Sequence, residues 1–210
     1  MKKITKSDEP DALVAWRAHH PGKRYEALGP LERSAIRASC AVEQFYLCAY
    51  CCQSISGQAC DTVNEHLLPR HTHHHLSLDY SNIVASCTTQ GQCDAAHAHQ
   101  TFSLTPLMDE CESELKFRIS GCLEGTTERA RETIRVLNLG DHERNNRSLV
   151  EKRKQLSHAL MFTNGLDPNA PLEDDELLQA LIEDLDEPVE GRLAPFMPVV
   201  INILKSWLAS

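Results

Sequence analysis

Two cysteine pairs constrain this chain more than any other feature. Cys48 and Cys51 stand in CAYC, and Cys87 and Cys93 in SCTTQGQC. Two thiolates at Cys-x-x-Cys spacing can grip one ion from a tight turn, and two separated pairs are the sequence form of a tetrahedral four-cysteine zinc site. Such a site would tie two distant segments into one small unit. Its second knuckle is enlarged, because five residues rather than two separate Cys87 from Cys93. Cys52 or Cys60 would complete the set if Cys87 or Cys93 were a core cysteine. Cys40, Cys111 and Cys122 stand apart and read as small buried hydrophobes.

The competing use of nine cysteines is a disulfide framework. An odd count argues against complete pairing. No run approaches the ~20 apolar residues that span a bilayer. The start, MKKITKSDEPDALVAW, has no apolar h-region, so it is not read as a secretion signal. The expected location is cytoplasmic, where thiols stay reduced and clustered cysteines bind metal.

The net charge of -9 is unevenly placed. Residues 1–159 hold 19 Lys+Arg against 20 Asp+Glu, whereas residues 160–210 hold 2 against 10. The acidity belongs to the tail, so it does not speak against a nucleic-acid substrate for the rest.

The pattern predicts an α+β protein, mainly helical. Residues 1–46 read as an arm broken by DEP, HHPGKRY and LGP, then a helix from Pro30 to about Tyr46. Residues 47–105 are a Cys/His-rich module, with Val63 and Leu67–Leu68 in a short strand before a Pro69 turn and a short helix over 93–100. Residues 106–163 form a helical extension. It holds a strand in LKFRISG, an amphipathic helix from Thr127 with Ala130, Ile134 and Leu137 on one side, and another helix capped by Ser148. Residues 164–210 form an acidic helical segment. NGLDPNAP is a linker, and Leu177, Leu178, Leu181, Ile182 and Leu185 make the next helix's apolar stripe. PFMPVVINILKSWL closes the chain as an apolar helix. That stripe could pack on this closing helix or lie in a partner's groove.

Threaded through the cysteine pairs are Glu65-His66, then Asn82, then His97 and His99. A His, an Asn and a His in that order, in EHLLP, SNIVASC and CDAAH around CAYC, resemble the HNH endonucleases with their zinc-clipped ββα-metal core. The resemblance implies metal-dependent hydrolysis of nucleic-acid phosphodiesters, DNA or RNA. His66 would be the general base and Asn82 would orient the imidazole or its loop. Glu65 and His97, with His99 as the alternative, would hold a catalytic divalent cation (Mg²⁺ or Mn²⁺) beside the structural Zn²⁺. A base in that role is expected to face open solvent and substrate. Many family members place the last His or Asn directly after the final Cys, where this chain has Asp94.

MKKITKSDEP, EQFYLCAYC, LTPLMDECESELKF and RARETIRVLNL extend the likeness over roughly residues 1–155, to the PtuB-type effector nucleases of Septu and retron-associated anti-phage systems. That branch implies a toxic effector held by an SMC/ABC-like ATPase and, where a retron is present, by a reverse transcriptase and its msDNA. The alternative function is a zinc-knuckle adaptor with a vestigial HNH site.

Between Cys48 and Gln100 the only Lys or Arg is Arg70, against Asp61, Glu65, Asp79 and Asp94. Phosphate grip comes mainly from Lys and Arg. Arg70 and His73, the latter in the HTHHH loop, are therefore candidate phosphate contacts. Further basic surface must come from a partner or from remote segments: Lys2, Lys3, Lys6, Lys23 and Arg24, or Arg144, Arg147, Lys152, Arg153 and Lys154.

Overall fold

A computed structural model describes residues 1–142, 145–170 and 174–208. The fold is α+β, with helices around two small antiparallel sheets. None of the described helices is long and apolar enough to cross a membrane.

The N-terminal arm contains a helix that the sequence reading missed, α1 (Asp11–His19). The Pro10 break precedes its first turn instead of interrupting it. Only Leu13 of this helix is fully buried, so its amphipathic signal is weak and docking beside α2 stabilises it. Helix α2 (Pro30–Glu43) begins on a proline and buries Ile36, Cys40 and Ala41. Phe45 and Tyr46 then take successive left-handed conformations, φ 51° and 60°, which turn the chain sharply into CAYC. Gln44, just beyond α2, donates to the Leu47 and Ala85 carbonyls at 2.8 Å and accepts from the Ala85 amide at 2.7 Å. Its side chain thus pairs with the outer edge of a strand.

That strand is β2 (Ile83–Cys87), antiparallel to β1 (Thr62–His66) with His66 opposite Ile83 and Thr62 opposite Cys87. A short helix, α3 (Asp94–His97), follows the second cysteine pair. Beyond it come α4 (Glu110–Ser113), a hairpin of β3 (Leu115–Phe117) and β4 (Leu123–Gly125), then α5 (Glu128–Val136) and α6 (Arg147–Thr163). Thr127 caps α5 by accepting from the Ala130 amide at 3.2 Å. The cap of α6 is Asn146, which accepts from the Leu149 amide, and not Ser148 as the sequence suggested. The N-terminal turn begins two residues earlier than the apolar pattern indicates.

Helix α7 (Asp175–Asp186) buries Leu178, Ile182 and Leu185 against α8 (Met197–Leu208). Its stripe is therefore occupied within the chain. Leu177, expected in that stripe, is 55% exposed because it lies one residue round from Leu178. The start of the predicted acidic helix, Leu172 and Glu173, lies outside the described residues, as do Pro171 of the linker and Arg144 of the basic run. The remainder of the linker is structured: Leu166 is buried and Asp167 bridges Ala170.

Helix α8 is buried continuously from Met197 to Leu204. It sends Val199 and Ile203 into the main core, which takes side chains from Met1 onward, and Met197, Val200, Ile201 and Leu204 into a second cluster with α7. Its one buried polar side chain is satisfied. Asn202 accepts from the Phe117 amide at 2.9 Å and donates to the Glu112 and Leu115 carbonyls, closing the free edge of β3.

Candidate metal centre and cleft

The four expected zinc ligands meet. The sulfurs of Cys48, Cys51, Cys87 and Cys93 all lie within 4.8 Å of one another, and all four residues are buried. A tetrahedral ion with Zn–S bonds near 2.3 Å needs sulfurs about 3.8 Å apart, so the cluster fits a structural metal such as zinc. The first pair sits on a turn closed by Cys52 N–H donating to the Cys48 carbonyl, with Cys52 left-handed at φ 64°. The second is anchored by Cys93 N–H donating to the Leu137 carbonyl at 2.9 Å. The Cys87 amide donates to Cys48 Sγ at 3.3 Å, a contact that favours a thiolate. Hydrogen bonding from Cys48, Cys51 and Cys93 drives the Cys87 thiol well below its usual range. Cys52 is buried outside the cluster and Cys60 is exposed, so neither joins the set. Cys40 and Cys111 are buried as expected, whereas Cys122 is only partly so.

Next to this cluster, β1 ends in Glu65-His66. The two side chains leave the strand in different directions but both border one cleft. The Glu65 carboxylate turns toward α3, where Oε1 lies 2.5 Å from His97 Nδ1 and accepts from Tyr50 OH at 3.1 Å. Oε2 accepts from the His66 amide at 3.1 Å. Burial opposes ionisation of Glu65, but hydrogen bonds from His97, Asp94 and Tyr50 outweigh it and lower its pKa. Asp94 bears the consequence. Burial and the adjoining Glu65 carboxylate push Asp94 up to about 8. Two carboxyls within hydrogen-bond reach cannot both ionise freely.

The His66 ring goes the other way, edge-on to Tyr25 at 4.7 Å, with Nε2 3.0 Å from the Ser77 carbonyl. A carbonyl only accepts, so Nε2 carries the proton and Nδ1 keeps a lone pair. Burial pushes the ring down to about 4, against the pull of Ser77, so it is neutral at pH 7. The expectation that His66 faces open solvent is corrected: it is 4% exposed, packed under Tyr25 and the histidine loop. Asn82 is buried and pins that neighbourhood. Its Oδ1 accepts from the Leu68 amide at 2.9 Å, and its Nδ2 donates to the Leu68 carbonyl at 3.2 Å.

Glu65, His66, Asp94, His71, His74, His99, Arg24 and Arg70 line one cleft of ≈ 440 Å³. Arg70 lies over Tyr25 and is ion-paired to Glu26 at 2.7 Å. His73 is not on the cleft lining; its Nδ1 meets Thr72 Oγ1 at 2.9 Å. His99 is exposed at the rim, 4.6 Å from the His71 ring. His97 is 1% exposed, with Nδ1 on Glu65 and Nε2 buried without a partner. Among the described residues the four thiols are the only group of three or more potential ligands gathered tightly enough for one ion.

Of the basic segments, Lys2, Lys3 and Lys6 are paired to Asp186, Asp109 and Glu43. Arg153 is completely buried, donating to the Gly121 and Leu139 carbonyls, and is excluded as a phosphate contact. Sequence reasoning noticed Asp94 only as a departure and missed Tyr50 and Ser77. Asp94's position directly after a metal-ligand cysteine was the available signal.

No protein-family model and no curated protein matches this chain.

Proposed function

We propose that the chain is a metal-dependent endonuclease of the HNH type, hydrolysing nucleic-acid phosphodiesters in the Glu65–His66–Asp94 cleft. The observation that carries this reading is the pairing of a neutral imidazole, open at Nδ1, with two adjoining carboxyls on a β-β-α unit clipped by four cysteines. His66 Nδ1 accepts a proton from the attacking water, while the Ser77 carbonyl holds the tautomer. Asn82 fixes the loop that follows β1. His97 acts through Glu65 by orienting its carboxylate, which replaces its expected role as a ligand.

Glu65 and Asp94 are the residues that would hold a divalent cation such as Mg²⁺ or Mn²⁺. Their fit rests on two carboxyls lining one cleft side by side, with Glu65 helping to hold Asp94 above the usual carboxylate range, a repulsion that a cation would relieve. The cation would neutralise charge on the phosphate and the leaving oxygen. In the context that the PtuB-type likeness implies, the enzyme is the toxic effector of an anti-phage complex with an SMC/ABC-like ATPase, and with a reverse transcriptase and msDNA where a retron is present.

The test is cleavage of plasmid DNA and of RNA by the purified protein with Mg²⁺ or Mn²⁺, set against Asp94→Asn. Loss of at least 100-fold in the variant, with zinc content intact, is expected. Equal cleavage by both proteins would sink the assignment. The adaptor reading is favoured by one observation, the burial of His97 away from the cleft. It predicts no cleavage by wild type and unimpaired defence in Asp94→Asn cells.

A further inference from the structure

Beside the cleft runs a larger groove of ≈ 990 Å³, walled by the end of α1 and the turn after it on one side and by residues 72–81 on the other. The two spaces are continuous, since Arg24 and His74 line both. Resting on the nuclease reading, we propose that this groove is the track for the phosphate backbone of a nucleic-acid strand flanking the scissile bond, anchored by Lys23 and Arg24.

Charge accounting singles out those two residues. Of the four cations on the groove, Lys6 is held by Glu43 at 2.7 Å and Arg17 by Glu9. Lys23 and Arg24 are exposed and make no ion pair among the described residues. Of the acids on the walls, Glu9 is spent on Arg17, and Asp79 accepts from the Ser81 amide and hydroxyl. Asp8 and Asp79 both keep their charge on these walls, and neither is ion-paired to Lys23 or Arg24. His20, His74 and His75 add exposed ring donors along the same walls.

The chain is bent to present these groups. Gly22 sits at φ 76° in the Pro21-Gly22 turn, a conformation that favours glycine, with open space where a Cβ would stand. That turn carries Lys23 and Arg24 off the end of α1 onto the groove wall, where Arg24 also borders the cleft. The Cys/His module itself supplies only Arg70, already engaged by Glu26. A strand that reaches His66 therefore finds the groove's unpaired cations in residues 23–24. Phosphates neutralise such charges with release of counterions, which gives the binding a measurable salt slope.

The experiment uses the full-length protein in Ca²⁺ buffer, with a 20-nucleotide single-stranded DNA and the RNA of the same sequence as probes. Lys23→Ala/Arg24→Ala is compared with wild type and with Arg131→Ala, an exposed cation outside the groove. The double variant should bind about 10-fold more weakly, and the slope of log K against log salt should fall by about 1.4, two phosphates at about 0.7 each. Arg131→Ala should match wild type. If the double variant keeps the wild-type affinity and slope, the track is refuted while the nuclease reading stands. If wild type binds neither probe, both fall. A drop confined to one probe supports the track and identifies the sugar it accepts.

Discussion

Glu65 Oε1 lies 2.5 Å from His97 Nδ1 inside the protein, while the same Glu65 adjoins Asp94 on the cleft side. One carboxylate thereby links a buried histidine to an accessible acid. His97 and Asp94 both belong to the short helix that begins directly after Cys93. The geometry of the carboxyl pair consequently depends on the cysteine cluster, and loss of the metal should be felt in the cleft.

Zinc content is the first check. One Zn²⁺ per chain is expected, and Cys93→Ser should lose it together with cooperative unfolding, because metal-binding energy in such clips is folding energy. Cys60→Ser, at an exposed position outside the cluster, should keep both. Full zinc occupancy in Cys93→Ser, measured by elemental analysis, would refute the ligand set.

The cysteine set was legible because Cys-x-x-Cys spacing is a local property and a second pair downstream admits few alternatives. Asn82 was singled out only by the resemblance to HNH endonucleases, as the residue that orients the imidazole or its loop; the structure buries it with its amide on the Leu68 backbone. Asp94 was not legible. Its place beside Glu65 follows from the backbone turning through φ 53° at Cys93, directly before it. The same limit hid α1, whose stability comes from packing on α2, and Asn202, whose three backbone partners lie at least 85 residues away in sequence.

Arg153 was misread for a related reason, since a basic run looks solvated until tertiary structure buries one member. Its guanidinium satisfies the Gly121 and Leu139 carbonyls at 2.6 and 2.9 Å. Arg153→Met leaves both unpaired in the core and should cost about 3 kcal/mol. Lys152→Ala next door, at an exposed position, should stay within about 0.5 kcal/mol. Equal denaturation midpoints for the two variants would contradict the buried role.

Truncation after Asn164 removes α7 and α8, and with them Phe196, Val199 and Ile203 from the main core. Burying each large apolar side chain contributes about 1.5–3 kcal/mol. For three such side chains this comes to about 4.5–9 kcal/mol, comparable with the ~5–15 kcal/mol by which whole domains are stable. The truncated chain should therefore be insoluble or unfolded rather than merely unable to assemble. A soluble, cooperatively melting product would overturn the packing assigned to these helices. Leu177→Asp, on the exposed face, should leave stability unchanged.

The folded pKa of His66 is depressed to about 4 from the ordinary 6.5. Between those values the unfolded chain binds the proton and the folded one does not. The stability associated with the neutral buried ring is therefore complete above pH 6.5 and is lost as pH falls toward 4. Asp94 has the opposite sign, so the difference between wild type and His66→Gln is the quantity to measure. Wild type should lose stability relative to the variant from pH 6.5 downward, and a flat difference between pH 7 and 4.5 would exclude the buried neutral ring.

The same residue supplies the sharpest catalytic test. His66 is enclosed, so His66→Ala opens a cavity beside Tyr25 and strands the Ser77 carbonyl; loss of activity there could be loss of fold. His66→Gln keeps a side-chain donor for Ser77 while removing a titratable base. If Nδ1 takes the proton from water, His66→Gln should fold and bind zinc as wild type does, yet cleave about 10²–10⁴-fold more slowly. The remaining activity should rise with pH as hydroxide replaces the missing base. Glu65→Gln should lose activity differently. It keeps the imidazole but discards the charge that the His97 and Asp94 contacts sustain, and added Mn²⁺ should restore part of the rate. A His66→Gln enzyme with the wild-type rate and pH profile would remove His66 as the base and move that role to the adjoining carboxyls of Glu65 and Asp94, which line the same cleft.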